Sequence, residues 1–175
     1  MKRKALVLVV CAAAMLECGC GPKDPLDTRV KANDPVDFAT WQSDMSDKLT
    51  AEQQGDLRDA MQELRYHIMA GGTSNSDQVN AAVLDQVREK TLRQVLEKGL
   101  GWKLQREEKE RADLAEALHY NVESAARPNA DLLADRQGQI QNQQGRLKAA
   151  DEDISRIRSR LTADGLSEPT PPPAK

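Results

Sequence analysis

The chain has 175 residues, a formal net charge of −3, 39% hydrophobic and 30% charged residues, and only 3% aromatics. A weakly acidic chain of this kind lacks the one-sided basic field that nucleic-acid binding requires. Abundant Ala, Leu, Gln, Glu, Arg and Lys with few β-branched runs gives helix-forming material and little for strands, so an all-α fold is expected.

The first 19 residues read as a lipoprotein signal peptide. Lys2, Arg3 and Lys4 precede an apolar run from Ala5 to Leu16, and Glu17-Cys18-Gly19-Cys20-Gly21 follows. That run is about a dozen residues, short of the ~20 needed to cross a bilayer as a helix. Cys20, with Gly19 before it and Gly21 after it, is the expected lipidation site. Glu17 is unusual in the position where an apolar residue is preferred. Secretion with cleavage after Ala12–Ala14 competes with this reading. A diacylated, amide-acylated cysteine holds firmly to a membrane, because each buried CH₂ contributes about 0.8 kcal/mol. The expected address is therefore the bacterial cell envelope. Gly21, rather than an Asp, after Cys20 favours a lipid anchor in the outer membrane, on its periplasmic side. Beyond Cys20 no cysteine remains, so stability must come from packing rather than disulfides.

Residues 20–33 contain two prolines and alternating charges without an apolar period, and read as a flexible tether. A helical domain over 34–126 follows. Asp34-Pro35 is a strong helix start, with Asp as N-cap and Pro at the first helical position. Phe38, Trp41, Met45 and Leu49 line one face. Thr50-Ala51-Glu52-Gln53 is a capping box. The next helix carries Leu57, Met61, Leu64 and Ile68 as one stripe and stops at Gly71-Gly72, so the first two helices are expected to form a hairpin. Ser76 or Asp77 caps the third helix, which carries Leu84, Val87, Thr91 and Val95. A second capping box at Thr91-Leu92-Arg93-Gln94 competes with a helix continuous through Lys90. Gly99 and Gly101 predict a kink. Leu114, Ala115, Leu118, Val122 and Ala125 then restore an apolar edge until Arg127-Pro128-Asn129 ends the helix.

Residues 129–164 form a heptad-bearing helix. Leu133, Ile140, Leu147, Ile154 and Leu161 recur every seventh residue, with Ala150 and Ile157 beside them and Arg136 and Gln143 interrupting the companion row. Such a repeat makes a left-handed coiled-coil seam, here about 48 Å long. Packing back on the preceding helix as a long antiparallel coiled-coil hairpin is expected, and a seam shared between chains is the rival. Residues 165–175 read as a disordered, Pro-rich tail.

No constellation for catalysis is present, and the chain is read as a non-enzyme without cofactor or metal. His67 and His119 are isolated, each beside a tyrosine (Tyr66, Tyr120), and no HExxH or Cys-rich pattern exists. Acidic side chains are expected on solvated helix faces. Among Arg156, Arg158 and Arg160, a Glu152–Arg156 pair is the expected default. Trp41 and Trp102 are expected to anchor the apolar interior.

Residues 34–99 resemble a loose group of small helical bacterial lipoproteins without assigned activity. The resemblance rests on Trp41, Met45, Leu49-Thr50-Ala51-Glu52-Gln53, Leu57, Ala60-Met61 and Leu64, and on Lys90-Thr91-Leu92-Arg93-Gln94-Val95. This chain has Glu89 where the group tends to have Gly, and Gln94 in place of Glu. The resemblance implies an envelope address and a helical fold. The resulting expectation is a membrane-anchored helical interaction or scaffold module with a protein partner or self-association through the heptad helix. The alternative is a carrier of a small apolar ligand or lipid between amphipathic helices, around Trp41, Trp102 and the methionines.

Overall fold

A computed structural model of the chain describes residues 24–125 and 133–168. Cys20, the Arg127-Pro128-Asn129 reversal, the Leu133 side chain and the tail from Pro169 lie outside the described residues. The fold is all-α: a 3₁₀ turn at Pro25–Asp27, then α1 (Pro35–Ser46), α2 (Ala51–Ala70), α3 (Ser76–Val87), α4 (Leu92–Ala125) and α5 (Leu133–Ala163).

Local chemistry sets most boundaries. Asp34 Oδ1 accepts from the Val36 and Asp37 amides at 2.8 and 2.9 Å, with Pro35 needing no partner. The Thr50–Gln53 capping box closes in both directions at 3.2 Å. Asn75, rather than Ser76 or Asp77, caps α3 through its side-chain oxygen. The chain does break before Leu92. Thr91 and Gln94 cap each other at 3.0 and 3.2 Å, and a tight turn closes with the Lys90 amide donating to the Val87 carbonyl at 3.0 Å. Arg88 (φ −51°, ψ 135°) and Glu89 (φ +61°) give that turn type II geometry, which demands a positive φ at its third residue.

Residues 24–33 are not a free tether over their described part. Leu26, Val30 and Ala32 are buried in the main core. Val30 donates to the Lys90 carbonyl (2.8 Å) and accepts from Glu89 (3.2 Å), while Thr28 accepts from Leu92 (2.9 Å). Leu26 enters the core from the 3₁₀ turn, and Val30 and Ala32, two residues apart beside the Arg29–Thr91 bridge, have the spacing that puts both on one side of extended backbone. Likewise, the segment after α5 is docked rather than disordered through Glu168. Gly165 (φ +62°) and Leu166 complete a Schellman motif, with Leu166 donating to Leu161 at 2.7 Å and Gly165 to Thr162 at 3.1 Å. Leu166 is buried, and the Ser167 amide reaches Glu97 at 3.1 Å.

The core is organised around α4. Leu92, Leu96, Leu100 and Leu104 recur every fourth residue and are all essentially inaccessible. They face α2 on one side and α5 on the other. Helix α4 does not break at Gly99-Leu100-Gly101, where a kink was expected. A Cβ at position 99 would stand 2.5 Å from the Cα of Ala60 and 2.6 Å from its carbonyl oxygen. Gly99 is therefore there for close helix approach. Helix α1 does not form the expected hairpin with α2: its backbone comes nearest to α3. The Gln54 amide bridges from α2 to the Ser46 and Leu49 carbonyls, at 2.7 and 3.2 Å, and ties the start of α2 to the end of α1.

Two substitutions test these constraints. Gly99→Val should lower the unfolding free energy by about 2 kcal/mol, since the α2–α4 contact must open to admit the side chain. Glu89→Gly should raise it by about 1 kcal/mol by relieving the left-handed backbone of the type II turn. Urea unfolding followed by circular dichroism measures both.

Candidate functional site

Two features stand out once the helices are in place: a projecting helical arm and a buried ionic clamp at its base. The apolar core ends at Leu104 on α4 and begins again at Ile154 on α5. Arg106, held by Glu63 through three hydrogen bonds of 3.0–3.2 Å, is the last α4 residue ion-paired to α2. From there α4 runs on for about 28 Å to Ala125. Among the described residues, every interhelical polar contact of that stretch is with α5. Arg158 reaches Glu108 at 2.7 Å, Arg111 reaches Asp151 at 2.5 Å, Arg146 reaches Glu110 at 3.0 Å, Asn121 reaches Gln143 at 2.9 Å and Arg136 reaches the Ser124 carbonyl at 2.6 Å. Their falling register on α5 as α4 advances makes the pair antiparallel, as expected.

The heptad seam is buried unevenly. Ala150, Ile154, Ile157 and Leu161 are buried, whereas Ile140 and Leu147 are half-exposed. Arg136 and Gln143, the interruptions seen in the sequence, are engaged by Ser124 and Asn121, so polar contacts replace apolar ones in the distal arm. Tyr120 (69% exposed) and Val122 (48%) stand out into solvent there. The distal arm thus presents apolar and amide groups at its surface.

The clamp lies at the arm's base. Arg160 donates Nε and Nη2 to one Asp56 oxygen at 3.0 and 2.8 Å, and Nη1 to Glu52 at 2.8 Å. Asp164 stands 3.8 Å from the same guanidinium and accepts from Gln53 at 3.3 Å, and its second oxygen is buried without a hydrogen bond. Arg93 links this end to the N-terminal segment, donating to the Asp164 carbonyl at 2.7 Å, to Asp24 at 2.7 Å and to Asp27 at 3.1 Å. Desolvation by burial holds the Asp56 carboxyl above its ordinary range although Arg160 pulls the other way. Arg160 is driven upward by its bonds to Asp56 and stays a cation throughout.

The expectation of solvated acids fails at Asp56 and Glu63, which are buried. Helical spacing on α2 places both beside the apolar stripe, but their arginine partners lie 104 and 43 residues away. The expected Glu152–Arg156 pair does not form: Arg156 meets Asp153 and Glu152 meets Lys148.

The remaining singled-out residues are engaged locally. Trp41 stacks on Phe38 with ring centroids 5.9 Å apart. Trp102 stacks on His67 at 3.7 Å and carries the Lys98 ammonium at 4.9 Å. Both tryptophans pack half-buried against the core. His119 pairs with Glu123 at 3.2 Å on an exposed helix face. Among the described residues no cluster of three or more His, Cys, Asp or Glu has the geometry of a metal site, and no helix is long and apolar enough to cross a membrane.

The clamp makes a signed prediction. Arg160→Met leaves Asp56 buried without its cation and should cost about 3 kcal/mol, most of it recovered in Asp56→Leu/Arg160→Met. Because the Asp56 carboxyl titrates above 3.8 in the folded state, its stabilising protonated form is lost as pH rises through that elevated value. The stability margin of the wild type over Asp56→Asn should therefore narrow as pH rises from about 4. Urea titrations at stepped pH measure it; a margin that widens with pH would contradict the burial argument.

Comparison of the chain with protein-family models, with curated proteins and with solved structures finds no match.

Proposed function

We propose that the protein is a lipid-anchored lipoprotein of the bacterial envelope, acylated at Cys20, whose α4–α5 arm acts as a non-enzymatic interaction or spacing element. The signal-like N-terminus supplies the address, and Gly21 points to the outer membrane. The observation that carries the mechanical reading is the relation between anchor and arm. Asp24 is held on the body and follows Cys20 by four residue steps, so the two lie at most about 14 Å apart. Asp24 is bonded to Arg93 in the first turn of α4. Helix α4 then extends 34 residues, about 51 Å, from that same end. A body held close to a lipid surface by a short leash, with a stiff helical pair leading away from the leash point, sets a distance between membrane and partner.

The carrier reading has less support. Trp41 and Trp102, the aromatic anchors it invokes, are engaged in stacks with Phe38 and His67.

Metabolic labelling with a palmitate analogue tests the anchor. Wild type should be labelled and membrane-bound, and Cys20→Ser unlabelled and released with its helicity intact. A photo-crosslinker at Tyr120 on the arm should capture an envelope protein or a second copy, while one at the exposed α3 position Gln78 should not. An unlabelled wild type recovered from the cytosol would refute the address, and equal capture at both positions would refute the role of the arm.

A further inference from the structure

We infer that the cleft between α1 and α2 binds an acidic peptide segment of a partner protein in extended, polyproline-like conformation. This inference stands independently of the membrane address. The splay of α1 from α2 opens a cleft of about 400 Å³. Leu57 and Met61 form its floor, each only 4% exposed. Gln42 and Ser46 line the α1 side, and Arg58 and Arg65 line the α2 side.

The charge pattern identifies the occupant. Arg93, Arg106, Arg111, Arg146, Arg158 and Arg160 all reach carboxylates on other elements. Arg58 and Arg65 form no ion pair among the described residues, and no carboxylate lines the cleft. In a chain with net charge −3, two exposed guanidinium groups left together at the one cleft between α1 and α2 are complementary to anionic groups from elsewhere. They are seven residues apart on α2, so they lie on nearly the same face about 10.5 Å apart along the axis. Two anionic groups on one ligand at a similar spacing can each meet one arginine without the two side chains converging. A polyproline-type helix repeats every three residues with a rise of 3.1 Å per residue. Acidic side chains at i and i+3 of such a peptide therefore share one face about 9 Å apart, and match the pair. The Gln42 side chain offers both a donor and an acceptor to a peptide backbone, which in this conformation has no internal hydrogen bonds. Small apolar side chains of the peptide would rest on Leu57 and Met61.

The test uses the full folded chain and a fluorescent peptide of sequence Pro-Glu-Pro-Leu-Glu-Pro, read by anisotropy. Saturable binding is expected, weakened about tenfold by either Arg58→Ala or Arg65→Ala and abolished by both. Arg29→Ala, outside the cleft, should leave it unchanged. Replacing both peptide glutamates by glutamine should abolish binding, and placing them side by side should weaken it severalfold. The arginines are exposed, so circular dichroism should find all variants folded. Absence of saturable binding, equal binding by the glutamine peptide, or wild-type affinity in the double variant would overturn the proposal. So would vesicles of anionic lipid that bind through Arg58 and Arg65 while the peptide does not, since the ligand would then be a membrane surface.

Discussion

The close approach of α2 and α4 at Ala60 and Gly99 is the contact on which the rest of the structure depends. With no side chain at position 99, the α4 backbone comes against Ala60, and the leucine row Leu92–Leu104 shares one buried core with Leu57 and Leu64. The same proximity brings Lys103 within 2.5 Å of Asp59 and Arg106 onto Glu63. Buried acids on a helix are costly unless a cation is held against them with good geometry. Here the cations come from the helix that the glycine admits, so apolar packing and charge pairing are consequences of one steric allowance.

That arrangement explains how a chain poor in aromatics supports a long projecting hairpin. The base of the hairpin is gripped on three sides: by α2 through Arg160, by the N-terminal segment through Arg93, and by its own returning end through Leu166 and Ser167. Among the described residues the distal half packs on its partner helix, through a half-buried seam supplemented by amide and guanidinium contacts. Such a division gives a rigid foundation and an arm whose surface is chemically available. The clamp residues Glu52, Asp56, Arg160 and Asp164 lie where arm, bundle and N-terminal segment meet, so strain at one of these elements is felt by the others.

Much of the local structure was legible in the chain. Asp34-Pro35, both Thr–Gln capping boxes and the stop at Gly71-Gly72 are decided by backbone donors within three or four residues, and each reading holds. Glu89 sits at φ +61°, the backbone state that makes Gly the usual choice. The misreadings share a cause. Gly99 reads locally as a kink because its partner, Ala60, lies 39 residues earlier. Residues 24–33 read as a tether because Leu26, Val30 and Ala32 are buried in a core that helices later in the chain supply. Asp56 and Glu63 were placed in solvent because nothing within a helical turn announces Arg160 or Arg106. Cys20, the one site residue that the sequence singled out, is read from a linear pattern of charge, apolar run and small residues, and it lies outside the described residues.

What the sequence by itself determined is therefore the all-α class, the positions of the helix starts and stops, and the heptad row that pairs α5 with α4. These follow from hydrogen-bond and side-chain periodicities that act within one or two turns. Only the tertiary structure decided that α1 leans on α3 rather than on α2, that α4 runs unbroken, and that the N-terminal segment is held to its first turn. It also decided that three carboxylates gather around Arg160 while Arg58 and Arg65 form no ion pair among the described residues. The physical reason is that those outcomes depend on which surfaces remain to be covered after the leucine row is buried, a quantity that exists only once distant segments have met.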